Sequence, residues 1–228
     1  MIMNVRIKHG FHVYVVNSNS LYYLIEFITN TLIIVKMNDS ELILKAVTFA
    51  SEKHQNQRRK NQSKTPYINH PIAVANYISS IGGVYDASVL CAALLHDTIE
   101  DTNTTYDELK DTFGARIANI VKEVTDDKSL SKVERKKLQI EHAAHSSYEA
   151  KLVKLADKLH NLSDLLQDPP IGWTLEITAG YFVWSYHVVK GIRGTNVDLE
   201  NALDKVFAKV ISEKVDLDAA LNDYYERC

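Results

Sequence analysis

Helical periodicity extends over most of this chain and restricts the folds that it can adopt. From Asp39 onward, behind a capping signal in NDSE, apolar residues recur at steps of three and four, as at Leu42, Ile43, Ala46, Val47 and Ala50. The sheet signals that an α/β fold requires do not appear there. With 228 residues, 46% of them hydrophobic, the chain can bury a substantial core as one domain. We therefore predict an all-α fold, a helical bundle.

The helical patterns are separated by recognisable breaks. The first helix is predicted to run to about residue 60 and to end in NQRRKNQSKTPYINHP, a loop that collects the positive charge of Arg58, Arg59, Lys60 and Lys64. Further helical patterns cover approximately residues 72–81, 86–99, 105–113, 115–124, 131–142, 149–166, 174–190 and 197–225. We expect residues 37–213 to form the main domain and residues 214–228 a helical tail.

The first 36 residues differ in composition from the rest. HVYVV and LYYLIEFITNTLIIV are rich in β-branched and aromatic residues. Polar residues at 17–20, Glu26 and Asn30 interrupt the roughly 18 apolar residues that a membrane span needs, and no small-residue cleavage pattern marks a secretory signal. We expect an appendage: an extra strand, a poorly ordered segment, or an upstream start with Met37 as the more natural beginning. Contact with a membrane surface is the alternative.

Charge and cysteine content exclude several classes of protein. With 26 basic and 29 acidic residues the net charge is -3, so no global field draws the chain to nucleic acid or to an acidic membrane surface. Its two cysteines, Cys91 within an apolar helical pattern and Cys228 at the end of the chain, imply no disulfide framework. A cytoplasmic, reducing compartment is the expectation.

The stretch LLHDTIED, residues 94–101, places ionisable groups at the end of an apolar helix. His96 and Asp97 follow ASVLCAALL, a segment apolar enough to be central to the core. A buried, ionised carboxylate needs a cation or several hydrogen bonds, and a metal ion meets that need directly. Imidazole and carboxylate together suit Mn, Fe or Zn better than a metal with only oxygen ligands.

Two ligands do not complete a metal site, so others must come from elsewhere in the chain. His70 in YINHP and Asp157 in LADKLHNL are the best candidates, and Glu100 and Asp101 follow the His-Asp pair at i+4. Asp157, Asn161 and Asp164 lie at i, i+4 and i+7, which aligns them on one side of a helix. The alternative is a chance His-Asp pair, with His70 a loop residue and Asp157 a solvated one.

Four motifs, TPYINHP, AALLHDTIEDT, FGARIANIVKEVTDDK and AKLVKLADKLHNL, resemble the hydrolase domain of RelA/SpoT proteins. The resemblance is closest to the metazoan SpoT homologue family of small stand-alone hydrolases and covers approximately residues 40–210. It implies an all-helical HD-domain fold, one divalent ion, usually Mn, and hydrolysis of the 3′-diphosphate of guanosine 3′,5′-bis(diphosphate). Animal members of the family are also linked to dephosphorylation of NADPH to NADH.

The resemblance assigns roles to individual residues. The family's metal ligands correspond to His70, His96, Asp97 and Asp157, and its catalytic acidic pair to Glu100 and Asp101. Arg59 and Lys60 match a basic loop that binds substrate, and Asn161 matches a residue near the nucleotide. For Tyr67 and Lys132 a place in the substrate pocket and a packing or solvated role are both open.

The sequence departs from the family pattern at two positions. Ser163 in HNLSDLL and Ile177 after GWTLE stand where the animal hydrolases carry arginine. The loss of two phosphate-facing charges leaves the metal chemistry intact and affects substrate affinity and identity.

Three functions are therefore open: a Mn-dependent 3′-pyrophosphohydrolase, a phosphatase for NADPH or another phosphorylated nucleotide, and an HD module that binds nucleotide without turnover. The intact Glu100 and Asp101 argue against the third function.

Overall fold

The computed structural model describes the secondary structure of residues 2–7, 11–18, 20–26, 32–36, 38–212 and 215–228 and the side chains from residue 38 within these ranges. Near the N-terminus it contains four strands, Ile2–Ile7 (β1), Phe11–Ser18 (β2), Ser20–Glu26 (β3) and Leu32–Lys36 (β4). They pair antiparallel in the order β1-β2-β3-β4, with Val5 opposite Val13 and Leu24 opposite Ile34. The β-branched and aromatic residues of this segment favour such pairing. Of the alternatives expected for it, the extra strand is the nearest, with four strands in place of one.

The rest of the described chain is helical. The helices are Asp39–Lys53 (α1), Asn69–Ser80 (α2), Ala87–Leu95 (α3), Thr98–Asp101 (α4), Tyr106–Phe113 (α5), Ala115–Val124 (α6), Lys132–Ala143 (α7), Tyr148–Gln167 (α8), Leu175–Lys190 (α9), Val197–Phe207 (α10) and Leu217–Glu226 (α11). No helix in these ranges is long and apolar enough to cross a membrane.

The prediction that the first helix reaches residue 60 was wrong. Helix α1 ends at Lys53, and the backbone NH of Arg59 donates to the carbonyl of Thr65 over 2.9 Å in a short loop that returns on itself. The segment after Lys53 is polar and has no apolar face to pack, so helix formation there gains little from burial.

Two of the predicted helices, 86–99 and 197–225, are each divided by a break in the structure. The stretch 86–99 ends as α3 at Leu95, and the Thr98 hydroxyl donates to the carbonyl of Leu95 over 2.7 Å. The stretch 197–225 divides into α10 and α11, and the Asp216 side chain caps α11 by accepting from the NH of Ala219 over 3.0 Å. The first of these breaks turns the chain at His96 and Asp97.

Helix α3 lies at the centre of the core. Seven of its nine residues are buried, and it packs against α1, α2, α6 and α8. The end of α3 meets the first turn of α2 and the middle of α8, which also pack on each other. His96, directly after α3, therefore lies beside both of these helices.

The C-terminal helix α11 packs on α9 through a close backbone approach. A Cβ atom built on Gly180 would lie 2.5 Å from the Tyr224 ring and 2.8 Å from its Cβ atom. Tyr224 itself is buried. Glycine at position 180 thus allows Tyr224 to enter the core.

We expect Gly180→Ala to destabilise the protein by about 1–3 kcal/mol, because the added methyl group must displace Tyr224 and with it α11. The measurement is chemical denaturation followed by circular dichroism. In a Tyr224→Ala background the same substitution should be neutral or stabilising, because alanine is the better helix former. An equal loss in both backgrounds would contradict the proposed contact.

Candidate metal centre and substrate cavity

Two histidines and two aspartates converge where α2, α3 and α8 meet. The Nε2 atom of His70 lies 3.2 Å from Asp157 Oδ1 and 3.6 Å from Asp97 Oδ2. The Nε2 atom of His96 lies 3.0 Å from Asp97 Oδ2 and 3.8 Å from Asp157 Oδ1. His70 lies 27 positions before Asp97 in the sequence, and Asp157 lies 61 positions after His96. The fold thus brings residues that are distant along the chain into one cluster. The cluster consists of the four residues that the sequence singled out.

Contacts at Nδ1 direct the Nε2 atoms of both histidines into the cluster. His96 Nδ1 donates to the carbonyl of Ala93 over 2.7 Å, so Nε2 is the ring nitrogen that faces the two carboxylates. That Nε2 atom is buried and lies 3.0 Å from Asp97 Oδ2 without forming a well-directed hydrogen bond to it. His70 Nδ1 lies 2.9 Å from His160 Nδ1, which leaves the Nε2 atom of His70 facing the two carboxylates.

The electrostatics of the cluster favour a cation. Burial opposes ionisation of Asp97 and Asp157, yet neighbouring cationic groups, His96 for Asp97 and Lys158 for Asp157, hold the pKa of both carboxyls below the usual range. Burial also disfavours a charged His96, but Asp97 and Asp157 outweigh it and raise the pKa of the imidazole to about 9. Two carboxylate oxygens and two imidazole nitrogens in this arrangement fit a divalent metal ion of the Mn, Fe or Zn type.

Polar side chains behind the carboxylates fix their orientation. The Tyr67 hydroxyl donates to Asp97 Oδ2 over 2.7 Å, and burial raises the pKa of this phenol well above its usual range. Asn161 Nδ2 donates to Asp157 Oδ1 over 2.6 Å, and Lys158 Nζ donates to Asp157 Oδ2 over 2.9 Å. Such contacts orient metal ligands and tune their basicity. Tyr67 and Asn161 thus contact the ligand cluster directly, which the sequence did not predict.

Glu100 lines the same cavity as the cluster, which has a volume of about 390 Å³. Its Oε2 atom accepts from the backbone NH of Asp126 over 3.2 Å, and its Oε1 atom lies 3.5 Å from Arg135. Burial, followed by the charge of Asp126, raises the pKa of Glu100 to about 7. A carboxyl group with this pKa can exchange a proton near neutral pH.

Asp101 points elsewhere. It accepts from Gln57 Nε2 over 3.1 Å and from the ammonium group of Lys128. It lines a neighbouring cavity of about 360 Å³, whose walls include Trp173 and Tyr181. The structure therefore separates the predicted acidic pair between two adjoining cavities.

The basic loop after α1 forms a wall common to both cavities. Arg59 and Lys60 line each of them. Arg59 Nη2 donates to Asn161 Oδ1 over 2.7 Å and to Asp164 Oδ2 over 3.0 Å. Lys132, at the start of α7, is exposed. Of these two cavities, it lines only the one that contains the metal cluster.

Several residues of the cavity were not predicted from the sequence. They include Asp126, Arg135, Lys136, Lys154, Lys158, Tyr181 and Trp184. One signal was present in α8, where Lys154, Asp157, Lys158 and Asn161 follow the spacing i, i+3, i+4 and i+7 of a single helix face. The residues on α7 and α9 carry no comparable pattern.

Comparison with known proteins gives one family match and several close relatives. An HD domain family model matches residues 46–172, more than half of the chain. The guanosine-3′,5′-bis(diphosphate) 3′-pyrophosphohydrolase MESH1 of Xenopus tropicalis is 59% identical over 170 residues, which are 75% of this chain and 95% of the relative. The human protein of the same name is 54% identical over 170 residues, with 75% of this chain and 95% of the relative covered.

A solved structure supports the same relationship. It is reported as a metazoan orthologue of SpoT that hydrolyses ppGpp and plays a role in starvation responses. It shares 48% sequence identity with this chain and superposes with a TM-score of 0.74, covering 76% of this chain and 97% of its own. The expected all-α HD-domain fold is thereby confirmed for the helical part.

Proposed function

This chain belongs to the metazoan SpoT homologue family of HD-domain hydrolases, and from that premise we propose that it hydrolyses guanosine 3′,5′-bis(diphosphate) to GDP and pyrophosphate. The observation that carries the proposal is the convergence of His70, His96, Asp97 and Asp157 beside Glu100 in a cavity lined with cationic side chains. Anionic phosphate groups suit such a lining.

We assign the four converging residues as ligands of one divalent ion, which we propose to be Mn. Support comes from the grouping of His70, His96 and Asp97 and from Asp157, whose Oδ1 atom lies 3.2 Å from His70 Nε2 and 3.8 Å from His96 Nε2. When bound, such an ion lowers the pKa of a water molecule and polarises a phosphoryl oxygen. Tyr67, Asn161 and Lys158 hold the two carboxylates in position for it.

Glu100 is proposed to accept the proton of the attacking water. The new bond forms between the water oxygen and the phosphorus next to the ribose, and the bond from that phosphorus to the ribose 3′ oxygen breaks. The 3′ oxygen takes up a proton, and pyrophosphate is released without a covalent enzyme intermediate. Asp101, the second member of the proposed catalytic pair, lines the adjoining cavity, and we assign it to ordering the bound substrate.

Arg59, Lys60, Asn161, Tyr67 and Lys132 are the proposed substrate-binding residues, since each of them lines the cavity of the metal cluster. Arg59 already donates to Asn161 and Asp164, so its guanidinium is held in place before any phosphate binds. A positioned guanidinium suits bidentate contact with phosphate oxygens.

Arg59→Ala should raise KM about 10-fold or more and change kcat less, because the side chain contributes to binding the substrate in its ground state. Steady-state kinetics with guanosine 3′,5′-bis(diphosphate) measure both constants. Arg227→Ala is the comparison, because Arg227 is exposed and lines neither of the two cavities. A loss confined to kcat would reassign Arg59 to transition-state stabilisation.

The function is tested by offering guanosine 3′,5′-bis(diphosphate) and NADPH side by side to the full chain with Mn. Pyrophosphate from the first substrate at the higher kcat/KM would support the proposal. Orthophosphate from NADPH as the main product would replace the proposed function with a nucleotide phosphatase. Failure to release either product would contradict both hydrolase functions.

We also propose that the protein works in the cytoplasm. Both cysteines are free, and Cys91 is buried in α3, where a reducing compartment would keep it as a thiol.

A further inference from the structure

Four cationic side chains from two helices line the cavity of the metal cluster. Arg135 and Lys136 reach it from α7, and Lys154 and Lys158 from α8. We call these four residues the cationic recess. Glu100, Asp126 and the proposed ligand Asp157 are its acidic neighbours.

Lys136 is the most unusual member of the recess, because it is buried and held by aromatic rings. Its relative exposure is 8%. The Nζ atom lies 3.4 Å from the centroid of the Trp184 ring, 4.8 Å from that of Tyr181 and 5.1 Å from that of Tyr224. No carboxylate of the described residues lies within 4.0 Å of it. The amino group is therefore surrounded by π-faces and has no ion-pair partner there.

The other cations are also incompletely paired. Arg135 Nη1 lies 3.5 Å from Glu100, but its Nε atom is buried and has no hydrogen-bond partner among the described residues. Lys158 is paired with Asp157 on one side and lies 4.7 Å from the centroid of the Trp184 ring on the other. Asp126 is engaged by Gln139, which donates to its Oδ2 atom over 2.7 Å.

Burial and then mutual repulsion oppose protonation of the lysines in the recess. Burial and then the charge of Lys158 lower the pKa of Lys136 to about 7. The same two causes lower the pKa of Lys154. A phosphate dianion would relieve this repulsion and supply the acceptors that these donors lack.

We propose that the cationic recess binds the distal phosphate of the substrate's 3′-diphosphate group. This inference rests on the proposed function, since the phosphorus attacked at the metal cluster carries that second phosphate. In the reaction only the bond to the ribose oxygen breaks, so the distal phosphate stays joined to the attacked phosphorus and leaves with it as pyrophosphate. The recess thus selects a diphosphate ester over a monophosphate ester.

The test compares two substrates that differ only in the distal phosphate: guanosine 3′,5′-bis(diphosphate) and guanosine 5′-diphosphate 3′-phosphate. Lys136→Met should lower kcat/KM for the first substrate about 10- to 100-fold and for the second less than about 3-fold. Lys137→Met is the matched control, because Lys137 is exposed and its ammonium lies 5.2 Å from the Tyr225 ring. Lys154→Met serves as a second variant should Lys136→Met fail to fold by circular dichroism.

The outcomes separate the two proposals. Equal losses on both substrates would overturn the recess as a distal-phosphate site and leave the proposed function standing. No turnover of the bis(diphosphate) by the unaltered protein would overturn the proposed function and the recess with it. If the protein binds guanosine 5′-diphosphate 3′-phosphate without cleaving it, the inhibition constant of this nucleotide is measured in place of its kcat/KM, with guanosine 3′,5′-bis(diphosphate) as the substrate. The inference then requires that Lys136→Met leave that constant unchanged.

Discussion

Asp97→Asn is expected to abolish stable binding of the divalent ion and to reduce phosphohydrolase activity to background. Asp97 Oδ2 lies 3.0 Å from His96 Nε2 and 3.6 Å from His70 Nε2, so it faces both proposed nitrogen ligands. The amide removes the negative charge that attracts the ion and keeps the volume of the side chain. Replacement of groups behind a ligand typically costs about 10- to 100-fold in metal affinity, and loss of a charged ligand should cost more.

The measurement has two independent parts. Metal content after gel filtration and Mn titration calorimetry report binding, and pyrophosphate release reports activity. Asp111→Asn is the matched control, because Asp111 is an exposed residue of α5. Unchanged Mn affinity in Asp97→Asn would remove Asp97 from the ligand set. Lost activity with retained Mn would instead assign Asp97 to the chemistry of the reaction.

The sequence predicted the elements around the cluster where their pattern was local. The stretches 105–113 and 115–124 agree within one residue with Tyr106–Phe113 and Ala115–Val124. The proposed ligands were found because each lies where an apolar pattern ends or carries a polar stripe. Burying a carboxylate there without a partner would be unfavourable, so the positions of these residues in the apolar pattern indicated a bound cation.

The remaining features depend on contacts between distant parts of the chain. The aromatic cage of Lys136 joins α7, α9 and α11, and no local spacing relates Lys136 to Trp184 or Tyr224. The separation of Glu100 from Asp101, by contrast, could have been predicted, because adjacent residues on a helix point in different directions. Gly180 gave no signal of its own, since its importance comes entirely from the ring of Tyr224.

Glu100→Gln is expected to keep the ion and lose most of the turnover. Glutamine has the same shape, and its side-chain oxygen can still accept from the NH of Asp126, but it cannot take a proton from water. Removal of a general base typically lowers kcat about 10²- to 10⁴-fold, while KM and Mn affinity should change little. Glu52→Gln, at an exposed position of α1, is the comparison.

The pH profile provides the decisive evidence for this role. Burial and Asp126 raise the pKa of Glu100 to about 7 in the metal-free protein, and a bound cation would lower it. The carboxylate form is the active base, so activity should fall as the pH drops through an apparent pKa at or below about 7. In Glu100→Gln the residual activity should lose that acid limb. An unchanged limb would mean that another group accepts the proton, and Asp101, which lines the adjoining cavity, would become the first residue to substitute.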